Sequence, residues 1–151
     1  MHPGFQASPY RDLLQQLNGT WAFERNSPGQ ATMTGTAVIA AIAPDLSAYE
    51  ERGTLTTAEG RTFQFARKYR YRATEKSFDI LFDETPLRLY QSVSLVARNG
   101  GWRGSGFHLC SPDEYRSDYS FDPPDLFMTT HNVTGPRKSY LIETRYRRAS
   151  T

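Results

Sequence analysis

The sequence holds a single cysteine, Cys110, in 151 residues. No intrachain disulfide is open to it, which fits a reducing compartment. It also lacks any run near the roughly 18 apolar residues that a membrane-spanning helix needs, and the opening Met1 to Tyr10 carries no apolar signal core. Both absences lead to the expectation of a cytoplasmic protein without a membrane partner. An excess of one charge is missing too: 18 Lys and Arg face 16 Asp and Glu, for a net charge of +2. That balance is too even for the counterion-driven grip on which nucleic-acid binding depends. Helical pattern is scarce as well. Only Pro9 to Leu17 reads as a helix, with Ser8 placed to cap it, Pro9 at its first position and Leu13, Leu14 and Leu17 on one face.

What fills the rest is alternation. Segments of period-two character recur between turn signals, which is the pattern of an antiparallel sandwich or barrel rather than of βαβ units. Strands are expected near Thr20 to Asn26, Thr32 to Ile42, Ser47 to Thr57, Arg61 to Ala73 and Phe78 to Asp83. Five more fall near Leu87 to Val96, Trp102 to Cys110, Tyr115 to Phe121, Leu126 to Asn132 and Ser139 to Arg148. An open sheet of roughly eight to ten short-looped strands would leave two costly edges, and closure removes them. The expected fold is all-β: a single antiparallel up-and-down barrel with a short N-terminal helix. With no repeat, linker or low-complexity tract, residues 1–151 read as one domain, 1–18 as N-terminal segment and helix and 19–148 as barrel.

Parity then sorts the faces. Phe63, Phe65, Arg67, Tyr69 and Tyr71 share one side of their strand, while Gln64, Lys68, Arg70 and Arg72 share the other. This separates the rings from most of the charges in Lys68-Tyr69-Arg70-Tyr71-Arg72, so the segment does not form a joint stacking-and-phosphate groove for nucleic acid. Trp21, Phe23 and Arg25 share parity near the start, and Tyr140, Ile142, Thr144 and Tyr146 near the end, with Lys138 and Arg148 at the ends of that set. Arginines on an aromatic inward face are expensive unless paired or solvated, so Arg25 and Arg67 point to a polar interior.

Gly19-Thr20-Trp21 after a short helix resembles the Gly-x-Trp opening of lipocalins and other calycins. That resemblance implies a tryptophan plugging one barrel end beneath a late basic residue, here Arg145 or Arg147. The chain further resembles a calycin-like family of unknown function found mainly in bacteria. The resemblance rests on Leu17-x-Gly19-x-Trp21, His108-Leu109-Cys110-x-x-Asp113-x-Tyr115 and Val133-x-Gly135-Pro136-x-Lys138-x-Tyr140 with Thr144 and Tyr146. It implies the fold and no particular activity.

The favoured function is small-molecule binding inside the barrel. Trp21, Phe23, Phe65, Tyr69, Tyr119 and Met128 would line the cavity, with Arg25, Arg67, His108, Lys138 and Tyr140 as its polar groups. Such a set suits an aromatic or carboxylate- or carbonyl-bearing ligand. A cofactor-independent isomerase, cyclase or lyase is the alternative, with His108 titrating near neutrality, Asp113 orienting it and Tyr115 or another tyrosine stabilising an oxyanion. Haem held by His108 or His131 and a protein-interaction module are further alternatives. Zinc is not expected, because His108, Cys110, Asp113 and His131 lack the paired Cys and His spacing of a structural site. His108 and Cys110 are also about 7 Å apart along an extended strand, too far for a nucleophile and its base. His2 is terminal and adds nothing. Nothing in the sequence fixes the oligomeric state.

Overall fold

A computed structural model describes residues 8–149; His2 and the opening segment weighed for a signal lie outside the described residues or, from Ser8 to Tyr10, at their edge. One helix, α1 (Pro9–Leu17), precedes ten strands: β1 (Gly19–Ser27), β2 (Ala31–Ala43), β3 (Leu46–Thr57), β4 (Thr62–Ala73), β5 (Phe78–Phe82), β6 (Arg88–Arg98), β7 (Gly101–Cys110), β8 (Asp113–Asp122), β9 (Leu126–Thr134) and β10 (Ser139–Arg148). Each strand pairs antiparallel with the next, and β1 pairs with β10 to close the barrel. Among the described residues no helix is long and apolar enough to cross a membrane.

Alternation dictates this closure. Along β1 every second residue from Trp21 to Ser27 is buried, and the residues between them are exposed. A ribbon with one wet face and one dry face hides the dry one by curling until its ends meet. Asn99 and Gly100 both take positive φ, 52° and 80°, which matches the turn to the right-handed twist of the β6–β7 hairpin.

One barrel end is plugged. Leu13, Leu14 and Leu17 of α1 are buried beside a fully buried Trp21, whose indole Nε1 donates to the Leu17 carbonyl at 2.8 Å. Tyr10 ties the helix to β6 by accepting from the Leu95 amide at 3.1 Å. Ser8 stands at the helix start, but its hydroxyl donates to the Thr74 carbonyl at 3.3 Å and makes no cap. The cation over the indole is Arg148, 4.3 Å from the ring, and not the expected Arg145 or Arg147. The reason is parity: Thr144 and Tyr146 face inward, so Arg148 follows them in, while Arg145 and Arg147 are exposed. Arg148 also donates to the carbonyls of Gln16, Asn18 and Pro124 at 2.5, 2.9 and 2.7 Å.

The opposite end, ringed by the β1–β2, β3–β4, β5–β6, β7–β8 and β9–β10 turns, has no such plug among the described residues. Here the wall also thins. β6 and β7 pair only from Ser94 with Ser105 to Arg98 with Gly101, so Arg88–Val93 and Gly106–Cys110 run past one another without a ladder. The Gln91 side chain bridges that gap from within. It crosses Gly106, where an added Cβ would stand 2.8 Å from Gln91 Oε1, and reaches β8. Gly104 and Gly106 themselves leave no free space, because Val93 and Leu95 side chains stand over the first and Gln91 over the second.

Candidate functional site

The lumen above the plug opens into a cavity of about 510 Å³. Of the nine tyrosines in the chain, eight line it; only Tyr10 is elsewhere. Tyr49, Tyr69 and Tyr71 come from β3 and β4, Tyr90 from β6, Tyr115 and Tyr119 from β8, and Tyr140 and Tyr146 from β10. Period two explains this convergence for seven of them, which sit on the inward parity of their strands. Tyr90 has the opposite parity to the buried Gln91, Val93 and Leu95 and turns inward at the register shift between β5 and β6, where Ile80 pairs with Gln91 and Leu81 with Leu89. Burial pushes the hydroxyl pKa of Tyr49, Tyr71, Tyr119 and Tyr146 upward and that of Tyr90 to about 12. These hydroxyls are therefore neutral and can both donate and accept.

Arg25 and Glu51 form the floor. Arg25 Nη1 and Nη2 donate to the two Glu51 carboxylate oxygens at 2.7 and 2.9 Å, and Nε donates to Thr144 Oγ1 at 2.8 Å. Tyr49 donates to Glu51 at 2.5 Å and lies 2.9 Å from the Tyr146 hydroxyl. Burial opposes both charges, yet the mutual hydrogen bonds and attraction outweigh it, raising the Arg25 pKa and lowering that of Glu51. Arg25 is thus neutralised, contrary to the expectation that it offers its charge to a ligand. Arg67 differs. It lines the cavity, lies 6.0 Å from the Phe65 ring and joins no ion pair among the described residues. Arg88 is shared between the Phe82 ring at 4.1 Å and Glu84 at 3.1 Å.

Of the residues expected to form the site, the structure brings Arg25, Arg67, Tyr69, His108, Tyr115, Tyr119 and Tyr140 to the cavity. It does not bring the others. Trp21 belongs to the plug, and Phe65 packs on Phe23 at 6.3 Å, beside the lining. Met128 lies between the inward-facing Phe127 and Thr129, so it faces outward into a groove beside Glu24 and Arg145. Lys138 and Asp113 pair at 3.1 Å on the rim. The expected His108–Asp113 hydrogen bond is accordingly absent among the described residues. His108 instead faces Tyr115 across the β7–β8 ladder and sits 5.0 Å from the Tyr90 ring and 5.8 Å from that of Phe82. Cys110 is exposed at the mouth, and no group of three His, Cys, Asp or Glu side chains converges as metal ligands among the described residues.

Sequence reasoning missed Glu51 and the polar chain on the far wall. Tyr119 donates to the Gln91 carbonyl oxygen, the Gln91 amide nitrogen donates to Ser117 Oγ at 2.8 Å, and Ser117 Oγ lies 2.5 Å from His131 Nδ1. Desolvation, then the fields of Arg25 and Arg67, lower the His131 pKa from 6.5 to about 4. The available signal was alternation itself, which puts Glu51 on the parity of Tyr49 and His131 on that of Thr129 and Val133.

A model of a family of unknown function, DUF6314, matches residues 17–148. Among curated proteins none matches at the sequence level. The S-type phycobiliprotein lyase CPES from Guillardia theta has a similar structure, with TM-score 0.61, 12% identity and coverage of 93% of this chain and 92% of that one. So does EF1p2_mFAP2b bound to DFHBI, with TM-score 0.52, 13% identity and coverage of 93% and 99%. A redesigned β-barrel, b11L5F_LGL, aligns with TM-score 0.51, 14% identity and coverage of 95% and 100%. At these identities the likeness is one of fold.

Proposed function

We propose that this chain, which belongs to DUF6314, a family of unknown function, is a calycin-like barrel that holds one small aromatic molecule bearing a carboxylate or carbonyl group in its lumen. The observation that carries this reading is the concentration of eight tyrosines around one open-ended cavity. Rings supply apolar contact area at low entropic cost, and their neutral hydroxyls supply orientation. The cavity volume of about 510 Å³ falls within the range typical of small-molecule sites. Among the described residues Arg67 adds a positive charge that joins no ion pair, while the only lining carboxylate, Glu51, is engaged by Arg25. The reading also draws support from EF1p2_mFAP2b, a barrel of similar fold whose structure holds DFHBI.

Titration of the protein with 2-naphthoate and 2-acetylnaphthalene, followed by calorimetry, tests this. Saturable one-to-one binding is expected, and Ile142→Trp, which projects bulk into the cavity, abolishes it. A protein that takes up neither compound, or whose affinity is untouched by filling the lumen, is not a binder of this kind.

A further inference from the structure

The hydrogen bonds on the far wall run in one direction. Gln91 Nε2 lies 3.4 Å from the Tyr115 carbonyl as well as 2.8 Å from Ser117 Oγ. A carbonyl can only accept, so that contact fixes which end of the amide carries the protons, and the Tyr119 hydroxyl donates to the other end. Ser117 Oγ therefore accepts from Gln91 and has one proton of its own to give. Its other partner is His131 Nδ1 at 2.5 Å. The Tyr90 hydroxyl approaches the same nitrogen at 3.5 Å, a second potential donor. An imidazole whose Nδ1 accepts is neutral and carries its proton on Nε2.

Where that proton points follows from what surrounds it. His131 lines the cavity, Nε2 makes no hydrogen bond among the described residues, and no buried side-chain nitrogen or oxygen is left without a partner. Nε2 is therefore open to the cavity. We propose that His131 presents Nε2–H into the lumen as a fixed neutral donor and so selects, among aromatic ligands, those with an oxygen acceptor opposite it. Tyr119, Gln91 and Ser117 are positioning residues that set the tautomer. This inference rests on the cavity being a binding site and adds the group that discriminates there. It concerns a different preference from that of Arg67, which favours charge: a ketone oxygen satisfies His131 as well as a carboxylate does. A donor left facing an apolar ligand loses its solvation without replacement, which is the source of discrimination.

Two measurements test it. Nitrogen-15 NMR of the ligand-free protein is expected to show His131 with Nδ1 bare and Nε2 protonated at neutral pH, and Ser117→Ala to release a mixture of tautomers. In binding, 2-acetylnaphthalene is expected to exceed 2-isopropenylnaphthalene, which replaces the ketone oxygen with a methylene, by about tenfold. His131→Phe removes that preference and retains 2-isopropenylnaphthalene. If the phenylalanine variant does not fold, Ser117→Ala serves, with the preference reduced because Nε2 loses its proton in part of the population. A wild-type Nδ1–H, or a preference that survives both substitutions, overturns the role of His131 and leaves the cavity reading intact. Failure of both compounds to bind while 2-naphthoate is taken up overturns this inference alone; failure of all three removes the cavity reading with it.

Discussion

Arg25 on β1 reaches over Met33 of β2 to meet Glu51 on β3, with two guanidinium nitrogens on two carboxylate oxygens. Both side chains are almost wholly buried, at 7% and 2% exposure. A buried pair of this kind costs much to desolvate, and breaking it leaves an uncompensated charge. Glu51→Gln is expected to lower stability to urea by about 3 to 5 kcal/mol. The double variant Arg25→Met/Glu51→Leu is expected to recover most of that loss, because an apolar pair strands no charge.

Acidification acts on two groups in the same direction. Between pH 6.5 and about 4 the unfolded chain protonates its His131 while the folded chain does not, so stability falls as pH drops through that window. Glu51, held below its ordinary value by Arg25 against the cost of burial, adds stability that is present above pH 4.5 and lost below it. Thermal melts at pH 7, 6 and 5 are expected to show a declining midpoint. His131→Phe is expected to flatten that decline; an unchanged slope would remove His131 from the account.

Arg67 is expected to sort ligands by charge. Arg67→Gln should weaken 2-naphthoate by about three- to tenfold, with the difference shrinking in high salt, and leave 2-acetylnaphthalene within about twofold. Equal losses for both compounds would mean that the side chain acts by packing alone.

Gly106→Ala is expected to cost about 1 to 3 kcal/mol, since the new methyl meets Gln91 at 2.8 to 3.1 Å. The displaced amide also frees Ser117, so the His131 nitrogen-15 spectrum is expected to change without any substitution in the lumen. Destabilisation with an unaltered spectrum would separate packing from the hydrogen-bonded chain.

Arg148→Lys is expected to destabilise the plug by about 1 to 2 kcal/mol. A lysine keeps the cation over Trp21 but cannot serve three carbonyls in fixed directions. Hydrogen exchange in α1 is expected to quicken more than exchange in the opposite rim.

Alternation made the barrel legible. Each of the ten expected strands has a counterpart, because a surface wet on one face and dry on the other writes period two into every segment. Parity also identified Arg25, Arg67, Tyr69 and Tyr140 as inward residues. It misled where a strand's direction was judged from one residue, as with Met128, whose apolar side chain looked internal although Phe127 and Thr129 set the face. What stayed hidden was partnership. Strand parity places Arg25 inside but does not say that Glu51, two strands away, cancels it, or that Lys138 takes Asp113 from His108. Those pairings depend on register across several ladders, which local pattern does not encode.

The missing stretch of ladder between β6 and β7 gives Gln91 a double duty. The amide that sutures the wall at this slit is also the one that dictates which imidazole nitrogen is protonated. Prising the slit apart and unlocking the His131 tautomer are thus one mechanical event. A guest hydrogen-bonded to that ring would act as a rivet, stiffening the barrel at this seam from the inside.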